Sequence, residues 1–173
     1  MRNIKVLLLI TAIITVIYGM TKINSKSINH VNDTAKLFNS NEIYQLNSML
    51  SSFSSDYGPQ IVVMTIQQLP TNQTIEEYSI NIANNLRIGR KKYDDGLLIL
   101  FSLNDRSIRI EVGYGLEKII RDDIAANIIR YQIAPQFKNK MFYDGINNAL
   151  FEITNEIIRN KKLIGDKKGI KYE

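Results

Sequence analysis

The sequence predicts a small α/β domain in which helices pack on a mixed β-sheet. Residues 61–66 and 97–101 are short apolar runs on either side of an amphipathic segment, residues 74–89, and this order is typical of a βαβ unit with parallel strands. Residues 107–112 alternate between apolar and charged side chains directly after a tight turn, which indicates the second strand of an antiparallel hairpin. A chain of 173 residues that is 45% hydrophobic can bury one core.

Composition excludes several classes of function. The chain has no Cys and a single His, His30, so disulfide frameworks, Cys/His zinc sites and thiol catalysis are excluded. The net charge of +5 comes from the two ends, because residues 26–158 contain 13 basic and 15 acidic side chains. A body without a basic excess is not expected to bind nucleic acid.

The N-terminus has the layout of a secretory signal or a membrane anchor. Arg2 and Lys5 precede an apolar run over residues 6–20, which is shorter than the ~20 residues that span a bilayer. No Ala-x-Ala pattern follows, which favours an anchor, although cleavage stays open. The charge distribution places the body outside the cytoplasm, either tethered to the cell membrane by residues 1–25 or secreted.

The elements of the body are predicted from caps and periodicity. After a polar linker over residues 24–32, in which His30 is expected to be exposed, Asn39 caps a helix that ends at Gly58. Thr74 caps the helix between the two apolar strands, and this helix is expected to end at Gly89.

The C-terminal part of the body is predicted to be helical. Asp122 or Asp123 is expected to cap a helix that is interrupted at residues 134–135, and Asp144 is expected to cap the last helix. The Lys-rich residues 161–173 then form a tail.

The hairpin predicts which loops meet at one end of the sheet. A two-residue turn at Asn104 and Asp105 places residue 96 opposite residue 113 and residue 94 opposite residue 115. Carboxylates from these loops and from the following helix can therefore approach one another, and such oxygen-rich loops suit Ca²⁺ or Mg²⁺. The acidic candidates are Asp94, Asp95, Glu117, Asp122 and Asp123, and the loop-forming residues are Gly96, Gly113, Tyr114 and Gly115.

Two other interpretations of these residues stay open. The aspartates can serve only as turn and cap residues, while Gly113 and Gly115 supply positive φ angles. Alternatively, Arg121 and Arg130 are available to bind a phosphate beside a cation, as in a metal-assisted phosphomonoester hydrolase. The sequence contains no complete dinucleotide-binding or phosphate-binding loop.

Four segments resemble the TPM domain family, most specifically residues 109–117, Arg-Ile-Glu-Val-Gly-Tyr-Gly-Leu-Glu. Residues 31–33, 60–65 and 93–96 support the resemblance, and Asp95 stands where the family has Asn. The resemblance implies a three-layer α/β/α sandwich over residues 26–160 and favours a cation site at Asp94, Asp95 and Asp122.

The same resemblance implies a range of functions. Ca²⁺ binding is associated with bacterial members of the family, and weak acid phosphatase activity with a plant member. The expected function is a membrane-tethered, extracytoplasmic module that binds a divalent cation and supports assembly or maintenance of membrane proteins. The alternative is a weak, metal-assisted acid phosphatase. The expected partners are the membrane and another membrane protein.

Overall fold

The strands of the sheet lie side by side in the order in which they occur in the sequence. The computed structural model describes residues 29–164, which contain β1 (Val31–Asp33), β2 (Gln60–Ile66), β3 (Gly96–Ser102) and β4 (Ser107–Val112). The first three strands are parallel, and β4 runs antiparallel to β3. The predicted βαβ unit and hairpin are therefore both present.

Helices cover both faces of this sheet. Helix α2 (Ile75–Leu86) packs on one face, and the other face carries α1 (Ser40–Tyr57) and α5 (Phe142–Arg159). A continuous helical segment between β4 and α5 consists of α3 (Asp122–Ile128), one π-helical stretch (Ile129–Ile133) and α4 (Ala134–Lys138). The three-layer α/β/α arrangement is confirmed.

The hairpin register agrees with the prediction. Leu97 lies opposite Val112 and Ile99 opposite Ile110, so their side chains share the face that packs against α1 and α5. Leu98 belongs to the smaller cluster beneath α2, on the opposite face. Because β3 is buried along its whole length, it forms the centre of the core, and β4 lies at one edge of the sheet.

The first two helices begin as predicted. The side chains of Asn39 and Thr74 each accept a hydrogen bond from the backbone N–H of the glutamate three residues later. The side chain of that glutamate accepts a hydrogen bond from the backbone N–H of the cap residue, so both capping boxes are complete. Helix α1 ends at Gly58, where φ is 100°. Helix α2 ends earlier than predicted, at Leu86, because Arg87 adopts the left-handed conformation before Gly89 does.

The linker predicted over residues 24–32 was wrong at its C-terminal end, because residues 31 and 32 belong to β1, which pairs with β2. His30 is only 6% exposed, and its Nδ1 lies 2.7 Å from the Ile61 carbonyl oxygen, so its predicted exposure was also wrong. Asp33 closes the strand by accepting hydrogen bonds from the backbone N–H groups of Leu37 and Phe38. A strand of three residues, two of them polar, is too short to show an alternation of apolar and polar side chains in the sequence.

The predicted caps of the last helices also differ. Arg121 and Met141 occupy the N-cap positions of α3 and α5 without a side-chain cap hydrogen bond. The aspartates that were expected there, Asp122, Asp123 and Asp144, lie in the first helical turns instead. Negative charge in a first turn interacts favourably with the helix dipole, so these residues still mark the helix starts.

Among residues 29–164, no helix is both long and apolar enough to span a bilayer. The predicted signal or anchor, residues 1–25, lies outside the described residues. Most of the predicted tail, residues 165–173, also lies outside them, and its first residues form a 3₁₀ turn, Lys161–Leu163.

Asp105, in the β3–β4 turn, makes the stability of the hairpin depend on pH. The Ser102 hydroxyl and the Leu69 N–H donate to its carboxylate and hold the pKa of Asp105 below its ordinary value of 3.8. A lowered pKa in the folded state stabilises the fold above pH 3.8, and this contribution is lost as the pH falls further. We therefore expect Asp105→Asn to lower the melting temperature at neutral pH, by a margin that disappears in strong acid.

Thermal melts of both proteins between pH 2 and pH 7 measure this margin, and a margin that does not vary with pH would contradict the assignment. Ser102→Ala removes the largest cause of the pKa shift while the carboxylate stays, so in that background the effect of Asp105→Asn should be smaller.

Candidate functional site

The two glycine-containing loops meet at one end of the sheet, as predicted. The Gly113 N–H donates to the Gly96 carbonyl at 2.8 Å, which continues the ladder between β3 and β4. One step further, the Gly115 N–H donates to the Asp94 carbonyl at 3.0 Å. The loop before β3 and the loop after β4 are therefore held together by their backbones.

The glycines serve close backbone packing at this contact. A Cβ atom at Gly113 would lie 2.3 Å from the Asp94 carbonyl oxygen, and one at Gly115 would lie 2.1 Å from the Tyr93 carbonyl oxygen. Neither glycine has a positive φ angle, whereas Asp94 has a φ of 57°. The interpretation that Gly113 and Gly115 supply positive φ was therefore wrong, because the absence of a side chain is what these positions require.

Asp95 holds the loop before β3 in place from inside. Its side chain is fully buried and accepts hydrogen bonds from the backbone N–H and the Nε of Arg90, both at 2.8 Å. The Arg90 guanidinium also lies 4.1 Å from the centre of the Tyr93 ring. The Asp95 carboxylate is thus occupied by Arg90, and its position is that of a loop-stabilising residue.

A cleft of about 230 Å³, called here the α2 cleft, opens between α2 and the ends of β3 and β4. Its wall on the α2 side includes Ile80 and Asn84. The oxygen-bearing side chains on the opposite side come from the two loops and from β4. They are Asp94, Glu111, Tyr114 and Glu117. Two of the predicted cation ligands, Asp94 and Glu117, therefore line the same cleft.

Glu111 is a member of this cleft that the sequence analysis did not select. Its carboxylate accepts hydrogen bonds from the Ser79 hydroxyl and from Arg109 Nε, each at 3.1 Å. The alternation of β4 places Glu111 opposite Leu98, on the face that α2 covers. That alternation was the available signal, because it places Glu111 and Leu98 on the same face of the sheet.

The other predicted residues lie elsewhere. Asp122 lines a second cleft, which residues 109–112 of β4 also border, and Glu117 borders both clefts. Asp123 and Arg121 form an exposed ion pair with two hydrogen bonds of 3.0 Å, which lowers the pKa of Asp123 and raises that of Arg121. Arg130 is exposed on the π-helical stretch, where its guanidinium lies 6.0 Å from the Tyr131 ring.

The described part of the chain contains no group of three or more acidic or histidine side chains close enough to form a preassembled metal site. The α2 cleft brings Asp94 and Glu117 to one cavity and leaves Asp95 and Asp122 out of it. Cation binding by the predicted ligands stays a prediction.

The chain forms an α/β/α sandwich with a cleft at the open end of the β3–β4 hairpin, where β3 begins and β4 ends, next to the glycine-containing loops. The family model of the TPM domain matches residues 31–156, and the chain belongs to this family. No curated protein sequence matches the chain significantly.

Two solved structures share the fold. The solution NMR structure of the N-terminal domain of a protein from P. gingivalis is 23% identical, with a TM-score of 0.72 over 82% of this chain and 89% of that chain. The NMR structure of the BA42 protein from the psychrophilic bacterium Bizionia argentinensis is 16% identical, with a TM-score of 0.62 over 81% of this chain and 93% of that chain.

Proposed function

We propose that this chain is an extracytoplasmic, membrane-tethered TPM-domain module that binds a divalent cation, Ca²⁺ or Mg²⁺, in the α2 cleft and supports assembly or maintenance of membrane proteins. The observation that carries the cation proposal is that Asp94 and Glu117, from two different loops, line one cleft. The basic and apolar pattern of residues 1–25 supports the tether.

The chemistry of the α2 cleft suits a partly hydrated hard cation. Mg²⁺ in particular is commonly held by one or two carboxylates and keeps several water molecules, so a preassembled cage of three acids is not required. The cleft has room for such waters, and the exposed Tyr114 and Asn84 offer further oxygen ligands at its edge. The backbone contacts between the two loops fix the main chain on both sides before a cation arrives, and both loops border the cleft.

Phosphatase activity has weaker support. An anion next to the cation needs a positive group, yet Arg121 is paired with Asp123, and Arg130 is not among the residues that line the α2 cleft. Metal-dependent hydrolysis of a phosphate ester is therefore the second candidate function, and it can be assayed on the same protein samples as cation binding.

We expect Ca²⁺ or Mg²⁺ to raise the melting temperature of the full-length chain in detergent micelles, because a cation that binds only the folded state stabilises it. At a hundredfold excess of cation over Kd, the stabilisation is about 2.7 kcal/mol. Asp94→Asn should abolish this shift, and asparagine tolerates the left-handed backbone at position 94. Differential scanning calorimetry with and without the cation measures the effect.

Asp56→Asn, on the exposed end of α1, is the matched control and should retain the full shift. The absence of a shift at millimolar concentrations of either cation, or an equal shift in the Asp94 variant, would contradict the proposed site. Release of phosphate from a generic ester that depends on both the metal and Asp94 would replace the binding function by the hydrolase.

A further inference from the structure

The chain enters the described domain at the end of the sheet where the three parallel strands begin. Val31 pairs with Val63, so residue 29 lies close to the first residues of β2 and β3, Gln60 and Gly96. This end of the sheet is called here the entry end. Residues 20 and 29 are nine steps apart in the chain, at most about 30 Å at full extension. The proposed tether therefore holds the entry end closer to the bilayer than the rest of the domain.

A basic loop, residues 87–92, connects α2 to β3 at the entry end. Four of its six residues are basic, and the chain has no acidic residue between Glu77 and Asp94. The basic side chains of this loop that are exposed to solvent are those of Arg87, Lys91 and Lys92.

The basic loop is held against the beginnings of β2 and β3. The Gly89 N–H donates to Oε1 of Gln60 at 2.9 Å, and the Arg90 N–H donates to the buried carboxylate of Asp95 at 2.8 Å. These contacts give the exposed cations of the loop a fixed place at the entry end.

Apolar and aromatic side chains border the basic loop. Leu86, directly before it, is 48% exposed, and Tyr114 in the neighbouring loop is 55% exposed. The Tyr93 ring follows the loop, with the Arg90 guanidinium 4.1 Å and the Lys92 ammonium 5.0 Å from its centre. Lys and Arg beside exposed Leu and Tyr are typical of surfaces that lie at the headgroup level of a bilayer.

A second basic group lies at the entry end, after α5. This helix begins at the opposite end of the sheet, where the Phe142 ring is 6.0 Å from the ring of Phe101 near the end of β3. Its 18 residues, at a rise of about 1.5 Å each, then run the length of the sheet. Lys161 and Lys162 follow the helix and are exposed, and Leu163 is 49% exposed.

We propose that the entry end docks on the surface of an anionic phospholipid bilayer. The basic loop and Lys161 and Lys162 contact the lipid phosphates, and Leu86 and Leu163 lie at the level of the headgroups. Each Lys or Arg held near an anionic surface strengthens the attraction by about fivefold. The inference rests on the proposed tether, which keeps the entry end within reach of the lipid.

Acidic side chains at the entry end only partly oppose this attraction. Asp94 and Glu117 border the α2 cleft, where the proposed cation would offset their charge. Asp123 is already paired with Arg121. The other exposed acids of the described chain at this end are Asp56 and Asp122. They are outnumbered by the exposed cations of the basic loop and of the residues after α5.

Energy transfer from single labels to lipid headgroups tests the docking in the full-length chain. The chain has no Cys, so one donor dye can be attached at Asn85→Cys, beside the basic loop, or at Asn104→Cys, in the exposed turn at the opposite end. The acceptor is a headgroup-labelled lipid in vesicles of phosphatidylcholine, or of an equal mixture of phosphatidylcholine and phosphatidylglycerol.

We expect transfer from position 85 to be higher in the mixed vesicles than in phosphatidylcholine. This gain should disappear in 1 M salt, where the Debye length is about 3 Å. Transfer from position 104 should change far less with either the lipid or the salt.

Charge reversal on the basic loop should remove the gain. Arg87→Glu combined with Lys91→Glu should lower the ratio of docked to undocked chain by about tenfold or more. The matched control, Lys36→Glu combined with Arg106→Glu, makes the same change in net charge at exposed positions of the opposite end and should retain the gain. Each pair includes a left-handed backbone position, since φ is 52° at Arg87, 57° at Lys36 and 50° at Arg106.

Flotation of the vesicles separates this inference from the proposed tether. A chain that does not float with phosphatidylcholine contradicts the tether, whereas flotation with the mixed vesicles alone, lost in 1 M salt, would still support the docking. Equal transfer from position 85 in both kinds of vesicle, or equal losses in the two charge-reversal pairs, would overturn the docking and leave the tether intact. The lipid and salt comparisons use the chain without charge reversal, so they decide the outcome even if a reversed variant fails to fold.

Discussion

Gly115→Ala is expected to destabilise the fold by about 3 kcal/mol, because a Cβ atom at this position would overlap a backbone carbonyl. The predicted position of that atom is 2.1 Å from the Tyr93 oxygen, far inside van der Waals contact. Relief requires the two loops to separate, and separation breaks the hydrogen bond from the Gly115 N–H to the Asp94 carbonyl. Urea denaturation of both proteins measures the change in the free energy of unfolding.

Gly145→Ala is the matched control for this prediction. Gly145 lies within α5, and its Cβ would meet the side-chain ring of Phe137 at 2.9 Å instead of a backbone carbonyl. Alanine also has a helix propensity about 1 kcal/mol better than glycine, which offsets part of the cost. A loss at Gly145 as large as the loss at Gly115 would show that backbone crowding between the loops is not the cause.

Asp95→Ala is expected to lower the free energy of unfolding by about 3 kcal/mol. The substitution removes a fully buried carboxylate that accepts hydrogen bonds from the backbone and from the guanidinium of Arg90. The Arg90 N–H and side chain then lose their acceptor together. The Arg90 side chain is 39% exposed and can be partly rehydrated, which keeps the loss at the lower end of values for buried pairs.

Asp123→Ala provides the comparison, since Asp123 forms the same kind of pair with Arg121 in full exposure to solvent. Exposed pairs contribute little, so we expect a change in the free energy of unfolding far smaller than that of Asp95→Ala. Asp95→Asn, which keeps one acceptor oxygen, should fall between the two. Equal losses at positions 95 and 123, measured by chemical denaturation, would contradict the role of burial.

The centre of the fold could be predicted because its signals are local. Strands β2 and β3 are apolar on both faces, and the turn at Asn104 and Asp105 determines the register of the hairpin. The meeting of the two glycine-containing loops followed from that register. Strand β1 was missed because it derives its order from pairing with β2 and from the side chain of Asp33, which are tertiary contacts.

The candidate site could be predicted in part for the same reason. Asp94 and Glu117 lie on the two loops that the hairpin brings together, so their common cleft followed from the strand register. The pair formed by Asp95 and Arg90 depends on the path of a loop, which no periodicity specifies. Glu111 was missed as a member of the cleft because the position of α2 over β4 depends on tertiary packing.

The agreement between strand order and sequence order has a consequence for how the chain assembles during synthesis. Each strand pairs with its nearest neighbour along the chain, so the sheet can be completed before the last helix has emerged from the ribosome. Helix α5 then packs beside α1, which lies far from it in the sequence. The Tyr143 hydroxyl of α5, for example, donates a hydrogen bond to Gln45 of α1. Until α5 arrives, the apolar face that receives Ile146 and Ile153 is open to chaperones and to other nascent chains.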